Sequence, residues 1–255
     1  PQVGGDPVCG RGELASLLCG DAHGLDDGTL LGAVALRAAA AILGRPYPTS
    51  PSGRRALWRE VGVLTDEVST TVLTAGLRTV GRTSWLDDRS DSGWESHLTL
   101  RDVRRLDLDV PAAGVVYVCE NPRVLEAAVD AGSRRAIVCT MGQPAVVVTV
   151  VLDRLGTAGA ELRYHGDFDW PGITIANLLV GTHDCRPWRF GARDYVEALA
   201  RFAPTVAELP PLGSALTRAC WDAELTEEMA RARRAVHEEL VLDDLLADLA
   251  TNRLC

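Results

Sequence analysis

The chain contains no lysine: all 26 of its basic residues are arginine. That excludes any mechanism that requires a lysine side chain, and a high-GC coding bias would account for it. No C-x-x-C pair occurs among the seven cysteines, Cys9, Cys19, Cys119, Cys139, Cys185, Cys220 and Cys255, so the usual structural zinc framework is excluded too. Their odd number and scattered spacing fit a reducing cytoplasm. Cys119 and Cys139 end apolar runs and read as small buried hydrophobes. No apolar run approaches the ~18 residues of a membrane span, which excludes a helical membrane anchor within this sequence. There is no secretory signal and no initiator methionine; the opening Pro1-Gln-Val-Gly-Gly5 suggests a fragment of a longer protein. Positive charge is also short. A net charge of −9 argues against a generally adhesive nucleic-acid binder. Residues 221–255 hold nine acids against four arginines, more than half of the excess, so the remainder can still present a local arginine-rich surface.

What is present is a soluble, globular composition, 47% hydrophobic and 24% charged over 255 residues, with room for two domains. A short helical piece at 12–18 precedes Gly20-Asp-Ala-His-Gly-Leu-Asp-Asp-Gly28, which reads as a turn capping a helix over 29–43. That helix is apolar on most faces and is expected to be buried. His23, Asp26 and Asp27 could be metal ligands, but a cap with a satisfied polar cluster explains them more simply. A helix over 52–63 turns Trp58 and Val61 inward, residues 66–79 continue as a short helical segment, and residues 83–100 read as hairpin-like. Three helices and a hairpin resemble a winged helix.

From residue 114 strands and helices alternate. Gly114-Val-Val-Tyr-Val-Cys119 is a continuous apolar strand of the kind buried in a parallel sheet. Asn121 and Pro122 then provide an N-cap and a first helical residue for a helix closed by Gly132. A second strand covers 135–139. The segment 146–151 is β-branched enough to be a strand, yet Pro144 and the βαβ context predict a helix. The third strand, 161–165, leads into Gly166-Asp-Phe-Asp-Trp-Pro-Gly172 and a further helix. Another strand at 188–190, a helix over 192–202 and a long last helix over 224–250 complete the chain. The expected architecture is α/β with a parallel sheet.

Asp167 and Asp169 are two residues apart, so on an extended or turn backbone they project together. One could cap a helix while the other makes a turn. Clustered anions, however, repel at a cost that a cation between them removes, and hard divalent cations prefer oxygen ligands. Glu120 ends the first strand of the same unit, where functional groups gather in open parallel sheets. If the two strands are neighbours, three carboxylates converge, and a buried cluster of that kind is expensive without a metal. His165 could take part in proton transfer, but core packing explains it more simply. Glu238 and Glu239, on the last helix, could reach the site from above.

Strand-Glu120-Asn121-Pro122-helix, Val138-Cys-Thr-Met-Gly-Gln-Pro144 and Gly166-Asp-Phe-Asp-Trp-Pro-Gly-Ile173 together resemble a Toprim domain of the topoisomerase VI A subunit type. More narrowly, they resemble the JetD-type nuclease subunits (MksG, EptD) of the Wadjet plasmid-defence SMC systems. The likeness runs from Gly20–Gly28 through Val115–Val180 to Cys220-Trp-Asp222 and His237-Glu-Glu-Leu240. It implies a Rossmann-like βα Toprim catalytic domain over 111–255, preceded by a mostly helical, winged-helix-like DNA-binding domain over 1–110. It implies a metal-dependent DNA endonuclease in which Glu120, Asp167 and Asp169 are both the catalytic residues and the ligands of Mg²⁺ or Mn²⁺. The partners implied are double-stranded plasmid DNA and an SMC/kleisin/KITE-type motor complex, with a homodimer in the full-length protein, no membrane and a cytoplasmic, nucleoid-associated location. The family carries an N-terminal arm with no counterpart here. Strand transfer would need a tyrosine in the winged-helix part, and Tyr47, between two prolines, is a poor nucleophile; hydrolysis by an activated water fits better. A topoisomerase-like strand transferase and a non-catalytic DNA-sensing module are the alternatives.

Overall fold

The computed structural model of the chain describes residues 9–110, 114–202 and 209–250. The chain divides between Ser69 and Thr70 into two compact units. The first holds β1 (Cys9–Gly10), α1 (Arg11–Cys19), α2 (Leu30–Ile42), α3 (Pro51–Glu60) and β2 (Val63–Leu64), with β1 and β2 pairing in parallel. Thr29 and Ser50 start α2 and α3 by accepting from the backbone N–H groups of Gly32 and Gly53. Leu25, Leu36, Leu57, Trp58 and Val63 form this unit's core. The acids of the 20–28 turn are satisfied as expected: Asp26 pairs with Arg11 at 2.6 Å and with His23 at 2.9 Å, and Asp27 with Arg54 at 3.0 Å. Two expectations fail here. Val61 is partly exposed rather than inward, and α2 buries one stripe only, leaving Leu30, Val34 and Ile42 exposed.

The second unit is built on β3 (Thr71–Ala75), β4 (Arg78–Thr79), α4 (Trp85–Ser92), β5 (Ser96–Thr99), α5 (Leu100–Arg105), β6 (Leu108–Asp109), β7 (Val115–Cys119) and α6 (Pro122–Asp130). It continues with β8 (Ala136–Cys139), α7 (Val146–Thr157), β9 (Glu161–Tyr164), α8 (Trp170–His183), β10 (Arg186–Pro187), α9 (Ala192–Arg201), α10 (Ala223–Ala232), a 3₁₀ turn (Glu238–Val241) and α11 (Leu242–Leu249). The main sheet has six strands in the order β10-β9-β7-β8-β3-β5. The first four run parallel; β3 is antiparallel to both of its neighbours. The protein is therefore mixed α/β, with a largely parallel six-stranded sheet and a helical N-terminal region. No helix among the described residues is long and apolar enough to cross a membrane.

Three expectations are corrected by this topology. Residues 71–75 are a strand, not part of a helix, and residues 83–100 are α4 followed by β5, not a hairpin. The cause is long-range pairing: β3 lies between β8 and β5, with Leu73 opposite both Cys139 and His97, so Thr71-Val-Leu-Thr-Ala75 buries both faces. The compact units themselves divide at 69/70. The expected helix over 224–250 is broken. α10 ends at Arg233 in the left-handed conformation, φ 55°, and Val236 then pairs with Phe168 as an antiparallel bridge. By contrast, Val146–Thr157 is a helix despite its β-branching, because Val147, Val148 and Val151 fill one buried stripe against the sheet.

Candidate functional site

β7 and β9 are adjacent and parallel, with Val118 level with Tyr164. From β7 the chain crosses to β8 on one side and later returns to β9 on the other. A crevice at such a reversal of strand order, outside the carboxyl ends, is where open α/β sheets bind ligands. Glu120 follows β7 and Asp167 and Asp169 follow β9, so all three stand at that crevice. Asn121 accepts from Arg123 N–H at 2.9 Å and caps α6, which frees Glu120 from that duty. Asp169 does cap α8, accepting from Gly172 N–H at 2.7 Å. Two glycines make room for the turn. A Cβ on Gly166 would lie 2.4 Å from the Tyr164 hydroxyl and 3.0 Å from Glu120 Oε2; one on Gly172 would lie 2.2 Å from the Asp167 carbonyl oxygen.

The Glu120 carboxylate faces the D-x-D turn. Its Oε2 accepts from Asp167 N–H and from the Tyr164 hydroxyl, both at 3.4 Å. A third wall comes from the break in the last helix, where Glu238, fully buried, accepts from the backbone N–H groups of Glu120 (3.2 Å, Oε1) and Asn121 (Oε2). Glu238 N–H in turn donates to Asp167 Oδ1 at 2.8 Å, and the Asn121 side-chain amide donates to Glu239 Oε1 at 2.6 Å. Both glutamates thus reach the site, through a 3₁₀ turn rather than from a helix face. The same segment brings His237, which sequence reasoning passed over. One ligand atom each from Asp167, Asp169 and His237 lie within 4.8 Å of one another. That tight group holds the imidazole and not Glu120, which borders it.

Burial, reinforced by the charge of Asp167, pushes the Glu120 carboxyl up to about 7. Burial also raises Asp167, with Asp169 and Glu239 adding to the rise, and drives Glu238 well above the usual carboxylate range. Among the described residues, no arginine pairs with Glu120, Asp167, Asp169 or Glu238, although surface acids elsewhere in this unit are commonly paired with one. Among the described residues, one oxygen each of Glu120, Asp167 and Asp169 accepts no protein hydrogen bond, so these three oxygens and an imidazole remain for a ligand. This is a cluster of acids with no arginine counter-charge among the described residues.

His165 lies in the core as expected, 1% exposed, its Nδ1 donating to the Trp188 carbonyl oxygen at 2.9 Å, and burial lowers it to about 4. Cys119 and Cys139 are buried, and the Cys139 thiol donates to the Glu120 carbonyl oxygen at 3.3 Å. Tyr117, Tyr164 and Tyr195 are buried; Tyr47 is exposed in the first unit, its ring 4.7 Å from the Arg37 guanidinium carbon.

No curated protein matches the chain. Residues 3–79 match the family described as "Protein of unknown function N-terminus (DUF3323)". Residues 96–249, which contain β7, β9, the D-x-D turn and the His237–Glu239 segment, match "Protein of unknown function C-terminus (DUF2399)", and the chain belongs to that family.

Proposed function

We propose that the chain is a divalent-metal-dependent DNA endonuclease of the Toprim type. The observation that carries this reading is the uncompensated cluster of Glu120, Asp167 and Asp169, with His237 beside them, at the reversal point of the sheet. Its donor set fits a hard divalent cation: carboxylate oxygens suit Mg²⁺ and Mn²⁺. Such an ion, held by these residues, would supply Lewis acidity toward a phosphodiester oxygen and lower the pKa of a bound water. The chain's own part is to fix the ligands. Glu238 holds the Glu120 backbone and Asp167 in register, and the N-cap bond holds Asp169.

The Toprim reading is supported by the strand-end glutamate, the G-D-x-D-x-x-G turn and the adjacency of β7 and β9. The winged-helix reading of residues 1–110 has lost its hairpin and rests on the helices alone. Hydrolysis is favoured over strand transfer because the second unit's tyrosines are buried and Tyr47 lies in a loop under Arg37. An overall charge of −9 opposes the phosphate contacts that supply non-specific affinity. We therefore assign DNA presentation to a partner, an SMC-type motor complex of the Wadjet kind acting on plasmid DNA. Plasmid incubated with the chain and Mn²⁺ at low salt should be cut slowly, and at least about tenfold faster with the motor complex and ATP. A covalent protein–DNA adduct after denaturation would favour strand transfer instead. No metal-dependent cutting under either condition would overturn the nuclease reading.

An imidazole in the ligand group shifts the preference from Mg²⁺ toward Mn²⁺, since nitrogen ligands favour the softer ion. His237→Ala should weaken Mn²⁺ binding by about tenfold and leave Mg²⁺ binding within about twofold, measured by calorimetry. Equal losses for both ions would remove His237 from the ligand set.

A further inference from the structure

A cavity of about 220 Å³ reaches the D-x-D turn through Phe168, the residue between the two aspartates. Val241 and Leu245 also line it. So does His165. A carbonyl oxygen can only accept, so the bond from Nδ1 to Trp188 puts the ring hydrogen on Nδ1. Nε2 is left with a lone pair, and it is buried with no hydrogen-bond partner. An orphaned acceptor on a residue that lines a cavity of this size needs a donor. Polar groups of this kind fix the orientation of small ligands in pockets.

The walls narrow the choice of donor. Arg189 is held by Asp248 at 2.5 Å and Arg201 by Asp244 at 2.5 Å, so both cations are already neutralised. Two more carboxylates, Asp194 and Glu197, line the same space from one face of α9. Asp194 accepts from the Gly191 N–H, and Glu197 pairs with Arg193, which is exposed. The surplus charge around the cavity is negative. A neutral alcohol would satisfy Nε2 but leave that field unused, and an anion would satisfy neither.

We propose that this cavity binds a small protonated amine, which donates one N–H to His165 Nε2 while Asp194 and Glu197 offset its charge. The proposal does not depend on the nuclease reading. Its bearing on the acid cluster would run through Phe168, whose backbone pairs in both directions with Val236, next to His237.

The probe is ethylammonium, with ethanol and acetate as controls, and the readout is the ¹⁵N resonance of His165 Nε2. Ethylammonium should shift that resonance saturably in the millimolar range and raise the melting temperature by about 3 °C at ten times its Kd. Neither control should do so. The shift should persist in Asp167→Asn, which separates it from general attraction to the acid cluster. It should need several-fold more ligand in Glu197→Gln, a change at a mostly exposed helix position that leaves the His165 bond intact. His165→Phe should abolish the melting response; if that variant does not fold, the Glu197→Gln comparison carries the test. An equal response to ethanol would overturn the role of charge. No saturable shift at tens of millimolar would mean the cavity holds water alone, and would overturn the proposal.

Discussion

If the proposed nuclease reading holds, Asp167→Asn should cost at least about a thousand-fold in cutting rate, because a metal ligand supplies several kcal/mol of transition-state stabilisation. The same change should raise the melting temperature of the metal-free protein at pH 8 by about 2 °C or more. The two effects have one cause. Burial raises the Asp167 pKa, with Asp169 and Glu239 adding repulsion, so its charge is a liability until a cation arrives. Asn keeps the geometry, since its side-chain oxygen can still accept from Glu238 N–H. The pH dependence comes from the direction of these shifts. A carboxyl whose folded pKa is raised holds its proton to higher pH in the native state than in the unfolded one. Its stabilisation is complete below the unfolded pKa and lost as pH rises through the folded value. For Glu120 that window runs from 4.5 to about 7. Metal-free wild-type protein should therefore lose stability across it, and the advantage of Asp167→Asn should be absent near pH 4 and largest at pH 8. Melting curves in EDTA, set beside a plasmid nicking assay, check both halves. A large fall in melting temperature with cutting retained would make Asp167 a structural residue only.

Much of that site was legible because its signals are local. A strand followed by Glu-Asn-Pro, and a strand followed by Gly-Asp-x-Asp-x-Pro-Gly, carry their own turn chemistry, caps and spacing. Adjacency of β7 and β9 was a condition of the argument, and the register of Val118 with Tyr164 meets it. His237 and the true role of Glu238 were out of reach for the opposite reason. Glu238 joins the site through contacts spanning 71 and 118 residues and carries its neighbour His237 with it. The break that delivers them contains neither glycine nor proline; Arg233 takes the left-handed conformation because the bridge between Val236 and Phe168 fixes the path of the chain beyond α10. One signal did exist. The apolar stripe Val236, Leu240, Leu245, Leu249 slips phase at the five-residue step from 240 to 245, between the 3₁₀ turn and α11. The misreading of 66–100 has a related origin. A five-residue strand buried on both faces has no alternation to read, and its identity is set by partners on either side of it in space.

Glu238→Ala should be the most damaging single change for the fold around the site. Both oxygens of this buried carboxylate accept backbone N–H groups, from Glu120 and Asn121 at the start of α6. Truncation leaves two donors without partners, and each such loss costs about 1–3 kcal/mol, so a total of about 2–6 kcal/mol is expected in denaturant unfolding at pH 7. Glu238→Gln should cost about half as much, because the amide keeps one acceptor while its nitrogen cannot accept from the second N–H. The ranking separates a hydrogen-bonding role from a charge role: if Glu238 served mainly as a fourth negative charge, Gln and Ala would be alike, and both would stabilise the metal-free protein as Asp167→Asn does. Glu238 also carries the N–H that orients Asp167, so its backbone must stay in place for the ligands to meet. Loosening that shell should weaken Mn²⁺ binding by about tenfold or more in Glu238→Ala, at a temperature where the variant remains folded. Unchanged Mn²⁺ affinity alongside the stability loss would confine Glu238 to holding α6 against the last turn, and would leave Glu120 and Asp167 positioned by the sheet alone.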